Sequence, residues 1–299
     1  MPKRKLIAAF ALTGVAAFAQ TSTPPQVEVQ AMLTAADHVH HNPPALKASD
    51  VTIMDGTITA FTPLQGANGG LELFLLIDDN ANYAFGSKLQ ELKKFVTSQP
   101  AAVAVGVAYI HEGNLEIVQS PTTDHARAAR ALRAPSGSKA ANPYCEISDL
   151  IGGWQKGPAR REIVLVSTGI DDTASESAVC VNAEKAIQDA ERAGVVIYAL
   201  YNPVANYLSQ KWTKVDSGVV DLAHVCFETG GEAYFLSHNP VDSIQPFLDD
   251  IAEHLAHQYL LNFRLAPGTE SGFQPLYINS EAKDVELMVP EKVWVPAGE

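Results

Sequence analysis

The chain has 299 residues, 46% of them hydrophobic and 18% charged, with 34 acidic against 21 basic side chains. A net charge of −13 is the wrong sign for nucleic acid, where Lys and Arg must neutralise phosphates, and for an anionic membrane surface. It suits solubility and, locally, divalent cations.

The basic MPKRK, the short apolar run LIAAFALTGVAAF and the small-x-small triplet Ala17-Phe18-Ala19 predict a secretory signal peptide over residues 1–19, cut before Gln20. Its removal takes Lys3, Arg4 and Lys5 with it and moves the net charge from −13 to −16. The expected location is secreted or periplasmic, with no membrane span after cleavage. Residues 20–69 read as an N-terminal β segment. VEVQAML alternates, HVHHNPP is a loop, and VTIMDGTITAF reads as a hairpin about Asp55-Gly56. QGANGG is a hinge.

From residue 70 to 257 apolar strands alternate with helices. LELFLLI, AAVAVGVAYI, REIVLVS, VVIYALY and EAYFLS read as strands, and NLEIVQS as an antiparallel partner across Glu112-Gly113. SKLQELKKFVTS, TTDHARAARALR, PYCEISDLIGGWQ, NAEKAIQDAERAG, LAHVCFETGG and VDSIQPFLDDIAEHLAHQ read as helices, the last irregular at Pro246. This rhythm predicts an α/β fold: a doubly wound, mostly parallel, Rossmann-type sheet covered on both faces. Residues 258–299 return to β, with YLLNFRL, PLYI, DVELMV and KVWV, and are expected to pack with 20–69 as a small β-domain.

Three cysteines are present. Cys226 lies in an apolar helical pattern and reads as a buried hydrophobe. Cys145 and Cys180 fall near loop-to-helix junctions and are the candidate disulfide, with the pairing left open because sequence does not fix the geometry. His38, His40 and His41 stand beside Asn-Pro-Pro and read as an exposed loop rather than a zinc site. Glu253, His254 and His257 give the order E-H-x-x-H, which lacks the spacing of zinc proteases and reads as a solvated helix end. No serine-hydrolase elbow, P-loop or dinucleotide glycine motif is present in the sequence.

The most informative stretch is LFLLIDDNANYAFGSKL, in which a strand runs into Asp78-Asp79-Asn80-Ala81-Asn82. In open α/β sheets ligands bind beyond such strand ends. Two readings are open here. The polar run either coordinates a hard cation or caps the helix and ties the loop amides.

LFLLIDDNANYAFGSKLQELKKFV, VGVAYI, PTTDHARAARALR, REIVLVSTGIDD and the tail MVPEKVWVP occur in an order that resembles the von Willebrand factor type A fold, more narrowly the acidobacterial VWFA-related family. The resemblance covers roughly residues 50–299. It implies a metal-ion-dependent adhesion site with the pattern Asp-x-Ser-x-Ser, a Thr before a helix and a later Asp. Asp78 matches the first Asp and Thr123 the Thr. Asn80 and Asn82 stand for the serines, and Thr168 for the second Asp. Asp79, Asp171 and Asp172 could supply charge from behind these ligands. The set is degenerate, so the implied Mg²⁺ (or Mn²⁺ or Ca²⁺) is expected to bind weakly. The resulting expectation is an exported, non-enzymatic, adhesion-type module binding an unidentified protein partner. The alternatives are an exported hydrolase with Asp78 or Asp171 as base, and a structural envelope component whose site is vestigial.

Overall fold

The computed structural model describes residues 26–297 except 38, 40–41, 66–69, 82, 138–140, 172–181, 203–211, 237–240, 267 and 269. The expected signal peptide, the clustered histidines and most of the QGANGG hinge lie outside the described residues. In chain order the strands are β1 Val27–Ala36, β2 Val51–Ile53, β3 Gly56–Pro63, β4 Leu71–Asp78, β5 Val103–His111, β6 Asn114–Thr122, β7 Arg160–Ser167, β8 Val195–Tyr201, β9 Ala233–Phe235, β10 Gln258–Leu265, β11 Gly272–Pro275, β12 Ile278–Ser280, β13 Glu286–Met288 and β14 Lys292–Val295. The helices are α1 Tyr83–Gly86, α2 Leu89–Thr97, α3 His125–Ala131, α4 Pro143–Gly153, α5 Ala183–Ala193, α6 Trp212–Glu228 and α7 Gln245–Ala256.

Six strands form the central sheet in the order β6-β5-β4-β7-β8-β9. Every neighbouring pair is parallel except β5 and β6. That exception follows from the two-residue turn Glu112-Gly113, where both residues have positive φ and the twist suits a hairpin. Counted along the chain, the order is 3-2-1-4-5-6, the doubly wound Rossmann-type arrangement. With its antiparallel edge strand, the sheet has a von Willebrand factor A-like fold. The order reverses between β4 and β7, so the crevice at their carboxyl ends is the natural place for a site.

Side chains alternate across β4 because a strand repeats every two residues. Leu71, Leu73, Leu75 and Ile77 face a core with Phe95 and Val96 of α2 and Leu248 and Ile251 of α7. Phe74 and Leu76 face a second core with Ile147 and Leu150 of α4, Ile187 of α5 and Leu222 and Cys226 of α6. Continued past the strand, this alternation sends Asp78 to the α4–α6 side and Asp79 to the α2–α3 side.

Outside this sheet, β1 pairs antiparallel with β10 from Val27–Leu265 to Thr34–Gln258, in a four-stranded sheet ordered β13-β1-β10-β3. Segments from both ends of the chain thus share one ladder. The hairpin expected about Asp55-Gly56 is corrected. The turn exists, with Asp55 at φ 57, but its strands part. β2 pairs with β12 and β3 with β10. A turn residue fixes local direction, while pairing is decided by side-chain packing, and Phe61 of β3 stacks on Tyr259 of β10 at 4.8 Å. Pro246 brings no irregularity, since α7 begins at Gln245 and proline sits in its first turn, where no amide partner is lost. Cys145 is disulfide-bonded; Cys226 is free and buried. Cys180, the candidate partner of Cys145, lies outside the described residues.

One buried carboxyl makes stability depend on pH. Glu146, in the first turn of α4, is buried, and its Oε2 has no hydrogen-bond partner among the described residues. Burial, then the like charge of Asp149, pushes its pKa up from 4.5 to about 7, against a backbone bond from Leu115. A raised acid costs nothing below pH 4.5 and increasingly more as pH rises to about 7. Glu146→Gln is therefore expected to add roughly 2 kcal/mol to unfolding stability at pH 8 and almost nothing at pH 4. Urea melts at the two pH values measure the difference.

Candidate functional site

Asp78 ends β4 fully buried. Its Oδ2 accepts from the Ser167 hydroxyl at 2.8 Å, and its Oδ1 accepts from the Asn80 amide at 2.8 Å. The first bond is a cross-strand pair: Ile77 stands opposite Val166, so the next residues, Asp78 and Ser167, meet on one face. The second is an Asx-type turn that bends the chain off the strand. Ser167 also accepts from the Gly169 amide at 3.0 Å, and the buried Thr168 hydroxyl accepts from Ile170 at 3.4 Å. Asn202, just past β8, donates its side-chain amide to the Ala81 carbonyl at 2.6 Å and its backbone amide to the Ser167 carbonyl at 3.0 Å. Tyr144 of α4 donates to the Gly169 carbonyl at 2.9 Å. The three strand ends are thus laced together by the chain's own groups.

Asp79 points the other way and is also fully buried. Arg133, just past α3, grips it with both terminal nitrogens, at 2.6 and 2.8 Å. The Ser136 amide and hydroxyl donate to it at 3.1 and 2.8 Å, and His111 Nδ1 lies 2.8 Å away. Burial alone would raise this carboxyl. The bonds from Arg133, Ser136 and His111 outweigh it and hold the pKa below 3.8. Arg133 is itself seated. Its guanidinium lies 3.8 Å over the Tyr109 ring, and its backbone amide donates to the Tyr109 hydroxyl at 2.7 Å. Burial pushes Tyr109 up to about 12, so it stays a neutral phenol. Outside this buried core an open recess of about 600 Å³ is lined by His111, Glu112, Asn114, Glu116, Arg133, Ala134 and Ser136.

Against the sequence reading, the structure brings Asp78, Asn80 and Thr168 together at the strand ends. Thr123 is corrected. Thr122 stands opposite Val105 while Asp78 stands opposite Ile110, so the two sites lie roughly 16 Å apart along the sheet. The cause is the antiparallel run of β6, which carries its carboxyl end to the amino end of the parallel strands. Asp79 is corrected too: its charge is engaged by Arg133, so it does not back a cation at Asp78. Asp171 is partly exposed beyond β7; Asn82 and Asp172 lie outside the described residues. His254 is also corrected. It is 2% exposed, not solvated, whereas His257 keeps a local role, with Nδ1 2.9 Å from the Glu253 carbonyl.

Magnesium needs an octahedron of oxygens with charge to match its own. The described residues do not fit that demand. Asp78 is sealed with both oxygens engaged, Thr168 brings no charge, Asp79 is paired and Thr123 is remote. The reading of Asp78 and Asn80 as loop-tying groups describes their observed bonds.

The residues that complete the site without a forecast are Arg133, Ser136, His111, Ser167 and Asn202. The only local signals were Ser167-Thr168-Gly169 after a strand and Arg-Ala-Pro-Ser-Gly after a helix.

No family model matches the chain, and no curated protein matches it. Among solved structures it is similar to an aerotolerance-related membrane protein from Bacteroides fragilis NCTC 9343, at 15% identity and a TM-score of 0.44, covering 62% of this chain and 98% of that one. It is similar to the vWF domain of the type V pili tip protein Mfa5 from Porphyromonas gingivalis, at 10% identity and 0.41, covering 65% and 95%. It is similar also to the ArnB paralog VWA2 from Sulfolobus acidocaldarius, at 9% identity and 0.39, covering 88% and 76%. The fold assignment rests on the strand order and directions given above. No helix among the described residues is long and apolar enough to cross a membrane.

Proposed function

We propose that this protein is an exported, non-enzymatic, adhesion-type module that binds a protein partner at the carboxyl end of its central sheet, without a cation. The observation that carries this is the seated Asp79–Arg133 pair opening into the recess. Adhesion by a bound metal needs a positive centre at this end of the sheet. Here the chain's own cation, Arg133 at 38% exposure, is already balanced by Asp79 and by Glu116 at 3.6 Å, beside His111 at 47% exposure. Glu112, Asn114 and Glu116 surround it and offer a partner both signs of charge and amide hydrogen bonds. The sealing of Asp78 supports a binding role over hydrolysis, because a general base must reach substrate.

Affinity capture from the secreted or envelope fraction tests this. A partner retained by the wild type is expected to stay bound in chelator and to be lost with Glu112→Lys combined with Glu116→Lys, which reverses charge at the rim. Capture that needs Mg²⁺, or that ignores the rim variant, contradicts the reading.

A further inference from the structure

A second polar cluster lies away from the strand ends, between β9 and α7. Glu232 and Tyr234 are two apart about the start of β9 and share one face of the strand. Asp250 and His254 are four apart on α7 and share one face of the helix. The two pairs meet. The Tyr234 hydroxyl donates to Asp250 at 2.7 Å and lies 3.4 Å from both Glu232 Oε2 and His254 Nδ1. His254 Nδ1 is 3.9 Å from Glu232 Oε2, and the ligating atoms of Glu232, Asp250 and His254 all lie within 4.8 Å of one another.

We propose that Glu232, Asp250 and His254 form a three-ligand zinc site, with the fourth position open to water and the Tyr234 hydroxyl hydrogen-bonded to the Asp250 ligand, that pins α7 to the edge of the central sheet. Four ligands at zinc bond lengths stand about 3.4 Å apart at the corners of a tetrahedron. The ligating atoms of the three residues lie within 4.8 Å of one another, so closing on an ion needs each to shift by about an ångström. The charges balance, because two carboxylates neutralise a divalent cation while the imidazole ligand stays neutral. That balance matters in a site where His254 is 2% exposed. Mixed nitrogen and oxygen donors in a small tetrahedron suit Zn²⁺ and not Mg²⁺ or Ca²⁺, which want more oxygens. The His254 ring is held in place against Tyr198, 5.9 Å between centroids. Glu232, at 32% exposure, lines an open groove of about 610 Å³ and leaves the ion a way in. α7 runs directly into β10, so the ion would brace the junction between the central sheet and the terminal β ladder.

The test is calorimetric titration of the chelator-stripped full chain with Zn²⁺, beside Glu232→Gln and Asp250→Asn, with circular dichroism to confirm folding. One Zn²⁺ per chain is expected, weakened at least about tenfold in each variant and unchanged in Asp78→Asn. Co²⁺ in place of Zn²⁺ is expected to give the intense visible bands of tetrahedral coordination. Zn²⁺ should raise Tm in the wild type more than in the variants, since binding to the folded form alone stabilises it. Absence of stoichiometric binding overturns the proposal. So does binding that persists in both folded variants and disappears when His38, His40 and His41 are replaced.

Discussion

Asp79→Ala is expected to lower unfolding stability by about 2–4 kcal/mol. The carboxylate has no exposure and joins Arg133, Ser136 and His111. Removing it strands the guanidinium over Tyr109 and frees the loop that carries Ser136. Losing one partner of a buried pair costs more than losing both. Arg133 is 38% exposed and regains some water, which keeps the figure from the top of the usual range. Arg133→Ala added to Asp79→Ala should then cost less than the sum of the single changes, as a double-mutant cycle in urea would show. The pH dependence has a definite sign. The folded pKa of Asp79 lies below 3.8, so its contribution is full above that value and is lost as pH falls through the folded pKa. Acid titration should unfold the wild type at lower pH than the variant.

Gly169→Ala is expected to cost about 2–4 kcal/mol. Gly169 has φ +67, and a Cβ there would stand 2.3 Å from the Gly218 carbonyl oxygen of α6. A left-handed residue thus coincides with a close crossing of backbones. The helix would be pushed off the end of β7, disturbing the Ser167 bond to Asp78. Gly152 is the control. It lies in α4, and a methyl added there would meet nothing within 4 Å, so Gly152→Ala should be neutral or stabilise by up to about 1 kcal/mol. Thermal melts should show a lowered Tm for Gly169→Ala and an unchanged or raised Tm for Gly152→Ala.

β4, β5, β7 and β8 of the central sheet were legible because each is buried on both faces and reads as a nearly continuous apolar run. Asp78 was legible for the same reason, as the place where such a run stops. The β5–β6 turn was legible in Glu112-Gly113, but one consequence went unread: an antiparallel edge strand carries Thr123 to the wrong end of the sheet. Likewise Asp55-Gly56 announced a turn, not the partners of the strands that leave it. The Arg133–Asp79 grip spans 54 residues and has no local pattern. The alternation that sends Asp79 away from Asp78 is visible in the strand, yet what it meets is decided by tertiary packing. The E-H-x-x-H pattern shows His254 only its helical neighbours, whereas its companions Glu232 and Tyr234 lie at a strand on the other side of the contact.

If the strand ends are closed by the chain's own bonds, with Asp79 already paired to Arg133, they have no place for a cation. The direct measurement is calorimetric titration of the chelator-stripped full chain with Mg²⁺, beside Asp78→Ala. No stoichiometric binding is expected up to millimolar Mg²⁺, with matching traces for the two proteins. One Mg²⁺ bound per wild-type chain, and lost in Asp78→Ala, would contradict this closure and make the strand end a cation site.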